Sequence, residues 1–574
     1  MAQSDEGNSK RVWQLTAIVL VGLLIFRIGA LILGEYELYA DEAQYWRWGQ
    51  TLDWGYYSKP PLIAWVIATS TAVFGDAEWA VRLPAPILHT IAAGGLFLLG
   101  RAMYGLTAGA LAAVGYALMP GVIVSSAIMS TDGVLLPFWC LALWLLWRQR
   151  EQEGGYGEAA LFGAVIGMAF LAKYAAIYLV IGIGLNALLD LETRRAVLSR
   201  KGAVIAAMAA LVVAPHIIWN ATHDFSTVSH TVDNANLGGP LFNLENIPKF
   251  IADQMGVFGP IGFIALIAGI FIFPAKARPH IRQRDRWLLC FILPVLIIIA
   301  GQAVLSRAHA NWAATAYPAA SVLVAAWLLR AQGNRMLWLA IAGLTLAAFQ
   351  LVPDVAAGLK IGLGLGTAAA IAGLGAVFRW RPAGLLVAAL LLHGTLMLGA
   401  AALFASPPSI TAALGVDNAL KRVRGWDEAT QAVLMKAQDL GATAILVDER
   451  EVWHGIDYYG RNGLDIPLIA WRRNAGVKSF AETQPMTDDL DDRVLLASFR
   501  PGFRPRIRSD FLSMRRVGEV NIELGIRSDG CPIMRRLVLY ELSGFKPQPR
   551  TTEWEQKFDG LQEAPNPPCS TSRR

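Results

Sequence analysis

The 574-residue chain is 55% hydrophobic and only 16% charged, with a net charge of +6 and a mean hydropathy of +0.43. So much apolar side chain with so little charge excludes a wholly soluble protein of this length, whose surface would need more charge. The positive balance does not imply nucleic acid, because in a membrane protein the placement of Lys and Arg counts for more than their sum; membrane lipids are the expected surroundings.

The N-terminal MAQSDEGNSKRVW has a short basic flank and no small-residue cleavage site, so it reads as leading into an uncleaved first span. Apolar blocks suited to crossing a bilayer, which takes about 20 residues, recur at 12–34, 84–101, 107–125, 133–148, 158–172, 174–190, 202–219, 249–274, 287–304, 312–329, 336–352, 360–378 and 383–405. That predicts about 13 transmembrane helices over residues 1–405. With the N-terminus inside, the inner loops carry Arg101, Arg148, Arg150, the Arg194–Lys201 and Lys276–Arg286 clusters, Arg330, Arg335, Arg379 and Arg381. The outer loops hold mainly Arg47, Lys59, Arg82, Lys173 and Arg307. This asymmetry obeys the positive-inside rule only if 158–172 and 174–190 turn at Lys173. An odd number of spans then places the C-terminal domain outside. The chain shows no internal repeat of the kind that builds many transporters.

The first outer loop, 35–83, is far longer than a connector of about 2–8 residues. Its Trp and Tyr content suits helices lying at the headgroup level, an aromatic belt being the simpler reading of the tryptophans. Polar groups at a membrane boundary cost free energy unless paired or functional, and five places stand out. Asp41-Glu42 follows the first span and reads either as a helix N-terminus suited to acids or as an active-site pair. Tyr57-Ser58-Lys59-Pro60-Pro61 holds Lys59 at a fixed height, either as a snorkelling lysine or as a binding group. Asp132 in MSTDGVLLPFW reads as a helix cap or a functional acid. Lys173-Tyr174 sits at a turn. The segments 216–230 and 306–318 bring His216, Asn220, His223, Asp224, Arg307, His309, Asn311 and Trp312 to the same face. His223-Asp224 could begin a divalent-metal site, but no further ligands stand at fixed spacing. Together the five look like the rim of an active site.

After Ser406 charge rises and apolar runs shorten. Residues 406–546 alternate strand-like runs (ATAILVDE, RVLLASF, RRLVLYEL) with helical ones (DEATQAVLMKAQDL, VWHGIDYYG), which predicts a small α/β domain. Its arginine clusters are either an ordinary solvated surface or an attraction for an anionic acceptor. The Pro-, Ser- and Thr-rich tail, 547–574, is expected to be disordered. Cys140 and Cys290 lie in apolar blocks as small core residues; an extracytoplasmic soluble domain would permit a Cys531–Cys569 disulfide.

The ordered runs ADEAQYWRWGQ…GYYSKPPLIAW, STDGVLLPFW, FLAKYAAIYL and WN-x-x-HDF resemble the GT-C glycosyltransferases, and more closely the bacterial family 39 / aminoarabinose-transferase-like group. That group includes protein O-mannosyltransferases, lipid A aminoarabinose transferases and rhizobial lipopolysaccharide galacturonosyltransferases. The resemblance covers 12 to about 330; the C-terminal third carries no matching motif. It implies a polyprenyl-phosphate sugar donor and an acceptor on the outer face of the bacterial inner membrane, such as lipid A or lipopolysaccharide core. It also implies a periplasmic C-terminal domain and a catalytic first-loop acid, carried onto Asp41. It assigns no cofactor, and a divalent metal stays open.

On that reading the enzyme must neutralise a departing phosphate, for which Lys59, Arg82, Lys173 and Arg307 are candidates. A hydroxyl acceptor needs a base, Asp41, with Glu42 or Asp132 holding the acceptor or tuning it; an ionised phosphate acceptor would need no base. Tyr57, Tyr174, Asn220, His223, His309 and Asn311 are candidates to position sugar or acceptor. The rival from another class is a lipid-linked sugar flippase or transporter; a protein O-mannosyltransferase-like enzyme is the rival within the class.

Overall fold

The computed structural model describes residues 2–234, 242–272, 278–331, 335–350, 357–404, 406, 408–414, 416–483, 486, 493–527 and 531–558. The thirteen apolar blocks are mostly helical over their described residues, as backbone in lipid must satisfy its own N–H and C=O groups. The chain is a multi-pass membrane protein of mostly helical structure. Among the described residues, seven helices are long and apolar enough to cross a membrane. Others are shorter, among them Leu106–Ala117, Tyr156–Ala172 and Tyr174–Leu189.

Two expected spans are not continuous: the block 107–125 is helices Leu106–Ala117 and Pro120–Ser125, broken at Leu118-Met119, and the block 249–274 is broken as well. The block 249–274 is two helices, Asn246–Phe258 and Pro260–Ile272, meeting at 113°. Gly259, at φ +85, makes the corner, and Pro260 starts the second helix where its missing N–H costs nothing. Any Cβ at Gly259 would run into the His393 ring.

Two local features place candidate side chains. Helix Thr131–Arg150 starts at Ser130, whose side chain accepts from Gly133 N at 3.2 Å, leaving Asp132 in the first turn. Helix Tyr156–Ala172 ends at Lys173, which is extended (φ −164, ψ 137), and a 3₁₀ turn Tyr174–Ala176 leads into helix Ile177–Leu189. The turn at Lys173 on which the charge pattern depended is therefore present.

The chain divides into two compact units. One comprises Met1–Gly34, Leu52–Pro353 and Ala357–Ala402; the other is built chiefly from Glu35–Thr51 and Leu403–Arg574. The first outer loop is thus shared. Its stretch from Leu52 belongs with the membrane helices, but Glu35–Thr51, including helix Ala40–Gly49, packs with the C-terminal residues.

The second unit contains a five-stranded mixed sheet: β1 Ala444–Val447, β2 Leu468–Ala470, β3 Val494–Ser498, β4 Phe511–Ile526 and β5 Pro532–Phe545, in the order β2-β1-β3-β5-β4. β1 is parallel to β2 and β3; β5 is antiparallel to β3 and β4. β1 and β3 are buried throughout, and their side chains alternate between two cores. Ile445 and Val447 pack with Trp426 and Val433 of helix Trp426–Leu440, whereas Ala444 and Leu446 pack with Ile507, Phe511 and Trp554. Cys531 is disulfide-bonded and Cys140 and Cys290 are free and buried; Cys569 and the tail from 559 onward lie outside the described residues.

Many arginines of this unit have internal duties. Arg535 is buried against the Trp426 ring and donates to Lys421 O and Arg424 O. Arg500 pairs with Glu449 at 2.6 Å, Arg515 with Glu541, and Arg516 and Arg536 share Glu519. Partnered cations of this kind project less field than the bare count suggests.

Candidate active site

In the membrane unit Asp132 meets Lys173 in a 2.7 Å ion pair through Oδ1 and accepts from Asn311 Nδ2 at 2.6 Å through Oδ2. The helix start and the helix break described above deliver the two charges. Lys173 also lines a cavity of about 350 Å³, together with Lys59, Tyr174 and Trp312 and the apolar Ile177, Ile298 and Ile299. Asp132 and Asn311 line another, of about 610 Å³, with His89, Ser125, Asp253 and the apolar Val122 and Leu136. The Asp132–Lys173 pair therefore joins the walls of two cavities, one cationic and one containing acids.

Tyr174 is fixed from behind. His216 Nδ1 donates to Trp54 O at 2.6 Å, which leaves Nε2 to accept from the Tyr174 hydroxyl at 2.7 Å. Asn220, one turn on, is buried and donates to His216 O at 3.1 Å. Trp54 and Trp219 close the same region, with Trp219 Nε1 donating to Asp53 at 2.7 Å. Lys59, Lys173 and Tyr174 are thus brought to one cavity, Asp132 and Asn311 to its neighbour, and Asn220 supports Tyr174 indirectly.

The remaining candidates in this unit are elsewhere or differently engaged. Arg82 is buried in helix Glu78–Arg82 and is not among the residues lining these two cavities. Arg307 and His309 are exposed. Tyr57 meets His230 edge-on at 5.7 Å. His223 stacks on Trp219, centroids 4.1 Å apart, and donates to its carbonyl at 2.8 Å. Among the described residues no three His, Cys, Asp or Glu side chains converge as metal ligands.

Asp41 and Glu42 lie in the second unit, at the start of helix Ala40–Gly49. Their side chains do different work. Glu42 is buried and accepts from Tyr39 N at 3.0 Å, the reach-back of a helix cap. Asp41 is 38% exposed and pairs through Oδ1 with Arg450, itself 35% exposed. Burial works against the Arg450 charge, yet Asp41, with Tyr45 and Tyr39 nearby, holds the guanidinium above its ordinary value.

Arg450 is the residue that sequence reasoning missed. It opens helix Arg450–Tyr459, directly beyond β1. Asp448 before it accepts from Ser498 Oγ and Phe499 N, both at 2.7 Å, and burial pushes its carboxyl up to about 6. Glu449 caps the helix at Arg450 N. A signal existed: a charged Asp-Glu-Arg run at the carboxyl end of a buried strand, where α/β sheets commonly place ligands.

With this geometry in hand, the chain can be set beside known proteins. Residues 58–219 match the family model described as dolichyl-phosphate-mannose-protein mannosyltransferase. The chain is 38% identical over 313 residues to lipid A galacturonosyltransferase RgtD of Rhizobium johnstonii, covering 54% of this chain and 65% of that protein. It is 23% identical over 308 residues to lipopolysaccharide core galacturonosyltransferase RgtB of the same organism, covering 52% and 60%. Both alignments span less than two thirds of these relatives. Among solved structures, ArnT from Cupriavidus metallidurans superposes with a TM-score of 0.61 at 16% identity. The match covers 91% of this chain and 97% of that one for the apo form, and 93% and 99% for the form bound to undecaprenyl phosphate. The fold expected from the resemblance, a GT-C membrane domain with a small C-terminal α/β domain, is borne out.

Proposed function

We propose that this chain, a multi-pass membrane protein of the GT-C glycosyltransferase fold, transfers a sugar from a polyprenyl-phosphate carrier to lipid A or lipopolysaccharide core at the periplasmic face of the bacterial inner membrane. One observation carries the reading: Lys59 and Lys173 line a cavity whose other walls are largely apolar. Two cations beside aliphatic side chains match a phosphate attached to a prenyl chain, and a compact ammonium suits a phosphate leaving as a point charge. The likeness to a lipid A galacturonosyltransferase favours galacturonic acid as the sugar and a glycolipid as the acceptor.

In this reading Lys59 and Lys173 neutralise the phosphate as the glycosidic bond breaks. Asp41 takes the proton of an acceptor hydroxyl as it attacks the anomeric carbon. Asp132 keeps Lys173 in place, and Tyr174, fixed by His216, orients the donor headgroup. The test is reconstitution. Purified protein in lipid nanodiscs receives undecaprenyl-phosphate galacturonic acid and either lipid A or an acceptor peptide, with products read by mass spectrometry. Galacturonosylated lipid A is the expected product. A modified peptide would move the acceptor class to protein, and no transfer to either, with donor crossing the bilayer instead, would replace the enzyme by a flippase.

A further inference from the structure

The sheet of the second unit has one point where its winding reverses. From β1 the chain passes through helix Arg450–Tyr459 to β2 on one side, and β3 lies on the other side of β1, both parallel to it. Open parallel sheets bind ligands outside the strand carboxyl ends at such a point. Here that position is taken by Asp448, Glu449 and Arg450. Asp448 ties the end of β1 to the end of β3, and Glu449 both caps the helix and pairs with Arg500 at 2.6 Å. The backbone that carries Arg450 is therefore held on several sides.

A cation in the first turn of a helix opposes the helix dipole, so local preference does not explain an arginine there. Its partner does, for the guanidinium meets Asp41. Nor is the pair needed to hold the two helices together. A pair this exposed adds little to stability, whereas the two helices already meet through Trp46 on Tyr458 (4.9 Å), and Leu38 N, just before the first of them, donates to Tyr459 OH at 2.6 Å. The contact uses Oδ1 of Asp41, which orients the carboxylate while leaving Oδ2 for a proton.

We propose that Arg450 is a positioning residue that fixes the orientation of the Asp41 carboxylate for proton transfer from the acceptor. This rests on the reading of Asp41 as the reacting base. The experiment measures steady-state transfer from undecaprenyl-phosphate galacturonic acid to lipid A by the full chain in nanodiscs, for Arg450→Ala, Arg450→Lys, Asp41→Asn and the Asp41→Asn/Arg450→Ala double variant, with thermal unfolding in parallel. Misplacement of a reacting group by an ångström costs about 100-fold. Arg450→Ala should therefore lower kcat about 100-fold with donor and acceptor KM within twofold and the unfolding midpoint unchanged. Arg450→Lys should recover about tenfold of that loss. In the Asp41→Asn background the second substitution should cost nothing further, because residues acting as a unit are not additive.

Equal losses for Arg450→Ala in both backgrounds, or a loss confined to KM, would overturn the positioning role. If Arg450→Ala does not fold, the kcat of Arg450→Lys against that of the unmodified chain decides, since a structural charge would be satisfied by lysine with no kcat loss. Inactive Asp41→Asn with normal Arg450→Ala sinks this inference alone; active Asp41→Asn sinks it together with the base assignment.

Discussion

The two units each hold an acid–cation pair, and the pairs are built differently. In the membrane unit Asp132 is 10% exposed and both its oxygens are engaged, one by Lys173 and one by Asn311. In the second unit Asp41 is 38% exposed and meets Arg450 through one oxygen. A carboxylate already accepting at both oxygens is shielded from a new proton, while one held at a single oxygen is oriented and still able to react. On the function proposed above, the contrast suits Asp132 to holding a cation and Asp41 to chemistry, and it gives the Glu42 carboxylate a capping contact at a helix start.

Substitutions can break that contrast. The largest effect is expected at Asp41: Asp41→Asn should cut kcat with a hydroxyl acceptor by roughly 10²–10⁴-fold, whereas Glu42→Gln, which keeps an acceptor for Tyr39 N, should stay within a few-fold in the same turnover assay. Asp132→Ala should act through stability instead. It strands Lys173 in a partly buried site, at a cost of about 3 kcal/mol, read as a lowered unfolding midpoint, and Asp132→Asn should recover part of that. Lys59→Ala should raise donor KM about tenfold, the loss of one charge-assisted hydrogen bond, with acceptor KM unchanged; an unaltered donor KM would remove Lys59 from the phosphate site.

The smallest effect sharpens the second unit. Asp457, one helical face along from Arg450, is pushed by burial up to about 6, with Arg47 at 3.6 Å working the other way. A carboxyl raised above its ordinary 3.8 holds a proton in the folded chain that the unfolded chain has released. Its contribution is therefore full below about pH 4 and is lost as pH rises towards 6. Asp457→Asn should flatten that fall and stabilise the unit at pH 7 by about 1–3 kcal/mol, measured by hydrogen exchange of the β1 amides. Asp448, shifted in the same direction, should leave some dependence in place.

Much of this arrangement is legible along the chain. Apolar blocks become helices because lipid leaves no alternative, β1 and β3 are short apolar runs buried throughout, and the run RRLVLYEL falls within β5. The turn at Lys173 follows from loop charge alone. What escapes has physical reasons. β2 is three residues, too short to show a period, and β4 is an edge strand whose Arg, Glu and Gly, with two irregularities at Arg516/Gly518 and Glu523/Gly525, hide its alternation. Asp132 and Lys173 are 41 positions apart, Asn311 lies 179 from Asp132, and Asp41 and Arg450 are separated by 409. Residues that pair over such distances leave no trace in local spacing. The break at Gly259 was present as Gly-Pro but lay inside a run that hydropathy joins.

Helix Ala40–Gly49 has a bearing on how such proteins can be recombined. It is encoded between the first two apolar blocks, yet its packing partners lie some four hundred residues downstream. A chimera that exchanges only the C-terminal third between relatives would pair a foreign Arg450 helix with the resident Asp41 helix and mismatch Trp46 against Tyr458. A graft meant to transfer the whole module must carry two inserts, 35–51 and the residues from 403 onward.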